Sequence, residues 1–190
     1  MDLMEDKKIN LGDLIFILFY KYGGKIKGST KLQKLIDIIR LDTDLKVNIE
    51  YSPYKYGNFS QQVNDTVQVF LDNQWLIKEE FMYQKDKKIN IFRLSSKGKK
   101  IAKVLYDNLL TGELKSLNIL DKFINKNQER IIAYSYFWYP KTAIKSRIRE
   151  EIFKRSPILS NLEGDLEQEY NSIINSGKSV KEVIQESWKC

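Results

Sequence analysis

The chain contains no histidine. That removes Ser-His-Asp triads, histidine-activated cysteines and imidazole metal ligands from consideration. Cysteine is nearly absent as well. The one thiol is Cys190, the last residue of the sequence, so an internal disulfide, a zinc ribbon and an iron–sulfur site are excluded. Glycine is scarce, and neither a GxGxxG run nor a GxxxxGKS/T run occurs. What remains is a binding protein, or an enzyme restricted to carboxylates, lysines and hydroxyls. No cofactor and no metal is expected.

Long apolar runs are also missing. The stretch from Leu14 to Tyr20 is far shorter than the ~20 residues of a membrane span, and Asp13 precedes it. The segment MDLMEDKKIN is polar and acidic, which does not suit a signal peptide. An unpaired cysteine fits a reducing compartment, so a cytoplasmic protein without membrane contact is expected. The hydrophobic fraction of 42% suffices for a core, and a charged fraction of 30% argues against the disordered and membrane classes. At 190 residues the chain has room for one domain with an extension, or two small domains.

The pattern predicts helices first. Asn10 can cap a helix carrying Leu11, Leu14, Ile15 and Leu18, which Gly23-Gly24 ends. Ser29 or Thr30 starts a second, with Leu32, Leu35, Ile36 and Ile39 on one stripe. No period holds from Leu41 to Phe59, and Pro53 and Gly57 mark a loop. Ser60 can cap a third helix that buries Val63, Val67, Phe70 and Leu71. Then the period changes to two. Ile77, Phe81 and Tyr83 share the inward parity of a first strand, and Ile89 to Leu94 form a second. Ser95-Ser96 opens a fourth helix with Ile101, Val104, Leu105 and Leu109.

The expected class is therefore mainly α with a small β-hairpin (α+β). Residues 1–110 form a winged helix-turn-helix domain and residues 111–190 a helical C-terminal domain for dimerisation or partner binding. In the latter, Leu114, Leu117, Leu120 and Ile124 give one stripe. Residues Ile131 to Tyr139 are apolar nearly all round and predict a buried helix ending before Pro140. Thr142 starts another, with Ile144, Ile148 and Ile152. Leu166, Tyr170 and Ile173 suggest one more, and Ser179 with Glu182 forms a capping box.

Two stretches resemble a known family. VNIEYSPYKYGNFSQQVNDTVQVFLDNQWLIKEE followed by FRLSSKGKKIAKVL, and SYFWYPKTAIKSRI, are similar to segments of the YwgA-like and Panacea (SocA-like) winged-helix proteins. The resemblance extends over about residues 10–150. Here Gly57-Asn58-Phe59-Ser60 replaces the family's "GPYS" turn, and Gln74-Trp75 replaces its glycine before the first strand. The resemblance implies a winged-helix fold and a predicted regulator, antitoxin-like or phage-associated adaptor protein. It carries no catalytic residues over.

Charge is concentrated rather than spread. Residues 78–103 hold nine basic side chains against three acidic ones, and residues 141–155 six against two. A basic wing suits phosphate contact, because each neutralised phosphate releases condensed counterion. The third helix presents Gln61, Gln62, Asn64, Asp65 and Gln68, and glutamine amides can pair with adenine edges. Double-stranded DNA is the expected partner. Gln61, Gln62 and Gln68 would read bases; Lys85, Lys87, Lys88 and Arg93, with Lys55, Tyr56 and Asn58 just ahead of the helix, would hold the backbone. A homodimer through the helical C-terminal part would complete a transcriptional regulator.

Against this, no lysine or arginine occurs from Ser60 to Asn73, while Asp65 and Asp72 do. A protein–protein adaptor or inhibitor, of the kind used in host–virus conflict, is the alternative. Glu150-Glu151 with Lys154, and Glu79-Glu80, fit a metal-nuclease pattern only loosely; Glu150 and Lys154 make an ordinary helical pair. The aromatic run Tyr134, Tyr136, Phe137, Trp138, Tyr139 suits a helix core or an interface better than base stacking.

Overall fold

Helix α1 (Leu11–Lys21) starts where the Asn10 side chain accepts the Asp13 N–H at 2.8 Å. It stops at Gly23 and Gly24, whose φ of 68° and 78° no helix continues through. Strand β1 (Lys25–Lys27) follows, then α2 (Ser29–Asp42), the hairpin β2 (Ser52–Tyr54) and β3 (Gly57–Phe59), and α3 (Gln61–Asp72). Next come β4 (Leu76–Gln84), β5 (Lys87–Leu94), α4 (Ser96–Asp107) and α5 (Thr111–Leu117), which tightens into a 3₁₀ turn at Asn118–Phe123. Helix α6 (Gln128–Trp138), a 3₁₀ turn (Pro140–Ala143) and α7 (Arg149–Arg155) complete the described elements. The computed structural model describes residues 9–84 and 87–155. The helices expected around Leu166 to Ile173 and after Ser179 lie outside the described residues.

The chain is a mainly helical α+β protein with two small antiparallel sheets, one ordered β1-β5-β4 and one formed by β2 and β3. It packs as two units. The first contains residues 9–51 and 60–125, and the second residues 52–59 and 126–155.

In the first unit α1 is buried all round from Leu14 to Phe19, and α2 from Leu32 to Ile39. Each is therefore a central element rather than an amphipathic cover. Phe16 stacks on Phe70 at 4.2 Å between ring centroids, and Trp75 closes the cluster 5.5 Å from Phe70. Gln74 takes a φ of 56°, so a glutamine occupies the left-handed conformation that glycine adopts most cheaply.

Several sequence expectations are corrected here. Residues 25–27, 52–54 and 57–59 form strands, where the sequence suggested no element and a loop. The parity of Ile77 and Phe81 is not buried: both are exposed, and β4 buries only Leu76, opposite Leu94, while Lys78, Glu80 and Met82 on the parity of Leu76 are exposed too. The α4 face packed inward is small, with Gly98 and Ala102 buried and Val104 exposed. Leu117, Leu120 and Phe123 are buried while Ile124 turns out, because a 3₁₀ turn aligns every third residue.

The second unit is built on α6. Its Ile132, Ala133 and Tyr136 pack with Ala143 and Ile152. The helix ends at Trp138, before Pro140, as its pattern predicted. A single helix from Thr142 does not form: a 3₁₀ turn and α7 replace it, and Ile144 is exposed. The β2–β3 hairpin belongs to this unit because its backbone is tied there. Arg147 N donates to the Lys55 carbonyl at 2.9 Å, and Ser146, which accepts the Tyr136 hydroxyl at 2.7 Å, lies beside it.

Two expected outcomes follow from the first unit. A Cβ on Gly98 would stand 2.1 Å from the Trp75 carbonyl oxygen, whereas one on Gly112 would meet nothing within 4 Å. Gly98→Ala should thus destabilise by about 1–3 kcal/mol through forced backbone movement, and Gly112→Ala should not, as read by urea unfolding. Lys34 and Asp37 are fully buried on α2. Burial, opposed by the Asp37 carboxylate, brings the Lys34 ammonium down to about 8 from 10.5. Between those values the unfolded chain binds more protons than the folded one, so stability rises with pH through that window. Lys34→Met should flatten the rise in thermal midpoint between pH 8 and 10; an unchanged profile would place the ionisation elsewhere.

Candidate nucleic-acid interface

The N-terminus of α3 is held by an amide on another helix. Gln33 of α2 donates from Nε2 to the Ser60 carbonyl at 2.9 Å, and the Ser60 N–H donates back to Gln33 Oε1 at 3.1 Å. The side chain thereby pairs with Ser60 as a neighbouring strand would. Its Nε2 also reaches Asn64 Oδ1 at 3.2 Å, and the Gln33 carbonyl accepts the Tyr51 hydroxyl at 2.9 Å. Ser60 sits at the N-cap, but its buried hydroxyl makes no hydrogen bond among the described residues, so Gln33 fixes the helix start where a serine cap was expected.

On α3, Val63, Val67 and Phe70 face the core and Gln61, Gln62, Asn64, Asp65 and Gln68 face out. The three glutamines expected to read bases are all exposed, and each amide is engaged within the chain. Gln61 donates to Asp65 at 2.7 Å and Gln68 to Asp72 at 2.8 Å, each one turn on. Gln62 accepts the Glu50 N–H at 2.8 Å.

The β4–β5 hairpin carries its cations with carboxylates beside them. Arg93 meets Glu79 at 2.8 Å, and Glu80 lies 3.2 Å from Lys78 and 3.5 Å from Lys88. Lys78 and Lys88 hold the Glu80 carboxyl below its ordinary range. Lys87 pairs with Gln84 through its backbone, and Lys85 lies outside the described residues. Lys55, Tyr56 and Asn58 belong to the second unit, on and between β2 and β3. There Lys55 lies over the Tyr54 ring at 5.7 Å, and Tyr56 is exposed.

Sequence reasoning missed the cations of β1, which lie beside basic residues it had counted. Lys25 and Lys27 project from β1, Lys25 directly opposite Arg93. A Cβ on Gly24 would touch Lys99 at 3.6 Å, so the α4 start borders this strand. No carboxylate of the described residues lies within ion-pair distance of Lys25, Lys27, Lys99 or Lys100, and Lys97 lies over Trp75 at 5.7 Å. The alternation Lys-Ile-Lys between two glycines was the available signal for this strand.

Little else on the first unit has the form of a site. A cavity of about 210 Å³ lies between α2, α3 and the sheet, lined by Ser29, Asn64, Gln68, Lys78 and Asn90 over an apolar floor that includes Phe92. It is smaller than the ~300 Å³ at which small-molecule pockets begin. Among the described residues no three acidic or thiol side chains are placed to hold a metal, and no helix is long and apolar enough to cross a membrane. Glu79 and Glu80, as neighbours on a strand, point to opposite faces. Of the aromatic run on α6, Tyr136 is fully buried and hydrogen-bonded, which leaves it no face for stacking. No family model matches the chain, and no curated protein is similar to it.

Gln33→Leu removes both bonds to Ser60 and strands a buried N–H and carbonyl. It should cost about 1–3 kcal/mol and increase hydrogen exchange at the start of α3. Ser60→Ala, which removes no hydrogen bond, should be close to neutral instead of losing the ~1 kcal/mol of a true cap.

Proposed function

We propose that the chain is a non-enzymatic, winged-helix DNA-binding protein acting as a transcriptional regulator. Within the first unit the order α1, β1, α2, α3, β4, β5, with β2 and β3 inserted between α2 and α3 as part of the second unit, and the sheet order β1-β5-β4 support this reading, since they resemble a helix-turn-helix followed by a wing. One observation carries it. The outward face of α3 carries the amides Gln61, Gln62, Asn64 and Gln68 beside Asp65, Asp72 and an exposed Val69, and the hairpin that follows it is rich in lysine. In this reading Gln61, Gln62 and Gln68 exchange their internal partners for base edges. Lys85, Lys87 and Lys88 at the wing contact phosphates, and the cations of β1 and the α4 start extend the positive field. Lys55, Tyr56 and Asn58 contribute from the second unit if DNA reaches it.

A specific observation favours the adaptor as a second reading. Helix α3 has no cation between Ser60 and Asn73, and two of its outward glutamines are bound to carboxylates of the same helix. Both readings meet in one experiment. The purified protein is bound to duplex DNA and the affinity followed against salt. Replacing Lys85, Lys87 and Lys88 by alanine should weaken binding and flatten the log–log salt slope by about 2–3. An unchanged slope removes the wing from the interface. Recovery from genomic fragments of a stoichiometric protein partner and no enriched DNA would overturn the DNA reading in favour of the adaptor.

A further inference from the structure

Strand β4 is the outer strand of its sheet, with β5 as its one partner among the described residues. Nine residues long, it exposes Ile77 to 49%, Phe81 to 47% and Met82 to 60%. Long edges with large exposed apolar side chains are what folded proteins normally suppress, because the free backbone groups recruit another strand. We propose that this edge docks a second copy of the chain, antiparallel, β4 against β4, on a two-fold axis at Glu79.

The sequence of the strand selects the occupant and the register. With the axis at Glu79, Ile77 lies opposite Phe81 of the second copy, and Lys78 lies opposite its Glu80. Leu76 meets Met82. By symmetry each pair occurs twice, so apolar faces apolar and base faces acid throughout. Glu79 alone meets its own kind, and Arg93 is already on it at 2.8 Å in each copy. A two-fold axis normal to the sheet pairs residues of the same parity, so the nearest other registers centre on Lys78 or Glu80. The first sets Ile77 against Glu79, and the second sets Phe81 against Glu79. Neither keeps an acid–base pair. An unrelated partner would have no reason to match a strand that complements itself.

Docking here is independent of DNA binding and is tested without it. The full-length chain should sediment as a concentration-dependent dimer. Lys78→Glu, which faces Glu80, and Glu80→Lys, which faces Lys78, should each weaken dimerisation at least tenfold without lowering the thermal midpoint of the monomer appreciably. The double change Lys78→Glu/Glu80→Lys restores complementary pairs and should restore the dimer. In a Cys190→Ser background, Glu79→Cys should cross-link to itself on mild oxidation, since opposed residues in an antiparallel pair stand about 4.5–5.5 Å apart at Cα. Lys78→Cys in the same background should not. A monomer at all accessible concentrations overturns the proposal. So does a dimer indifferent to both single charge changes, which would be held by the C-terminal helical part or another surface.

Discussion

The arrangement of the first unit depends on one buried amide. Gln33 lies on a helix that is buried on all sides, where an unpartnered polar group costs several kcal/mol. It is satisfied by a reciprocal pair of bonds to Ser60, and that pair sets where α3 begins. Because a glutamine side chain carries both a donor and an acceptor, it can stand in for a peptide unit. No apolar residue of the same size fits the position without leaving Ser60 unsatisfied. The polar face of α3 is thus aimed from another helix, by a residue that touches that face only at Asn64.

Among the described residues, that face and the hairpin beside it share a second property: most groups suited to a polar ligand already have a partner on the protein. Exposed ion pairs such as Arg93 with Glu79 are worth about 0.2–1 kcal/mol. Glutamine–carboxylate bonds on a helix surface are of similar size. Such contacts hold long side chains in register without binding them tightly. Exchange for a phosphate or a base edge is cheap, and so is exchange for a protein partner. Lys25, Lys27, Lys99 and Lys100 differ in having no carboxylate partner among the described residues.

Much of the fold is legible in the sequence because its causes are local. Asn10 and Ser95 announce α1 and α4, and both accept the expected backbone bond. The two-residue period gives the β4–β5 pair, and Pro140 ends α6. What is not legible depends on distant partners. β1 is a three-residue strand that exists through its pairing with β5, and the facing of β4 follows from the turn at Gln74 and Trp75. Val104 reads as core until Gly98 and Ala102 are seen to be what α4 buries. For the candidate site, composition identified the glutamines and the wing lysines. It could not show that the glutamines are engaged by Asp65, Asp72 and Glu50, nor that residues 52–59 pack with the second unit.

The placement of that short hairpin has a consequence for how the molecule is made. A ribosome delivers residues 52–59 long before the helices that anchor them, and α2 and α3 on either side close into their own unit meanwhile. The hairpin must wait, exposed, until Ser146 and Arg147 emerge to take the Lys55 carbonyl. Assembly of the second unit is therefore not vectorial, and a chaperone or protease acting during synthesis would find its target in the first third of the chain.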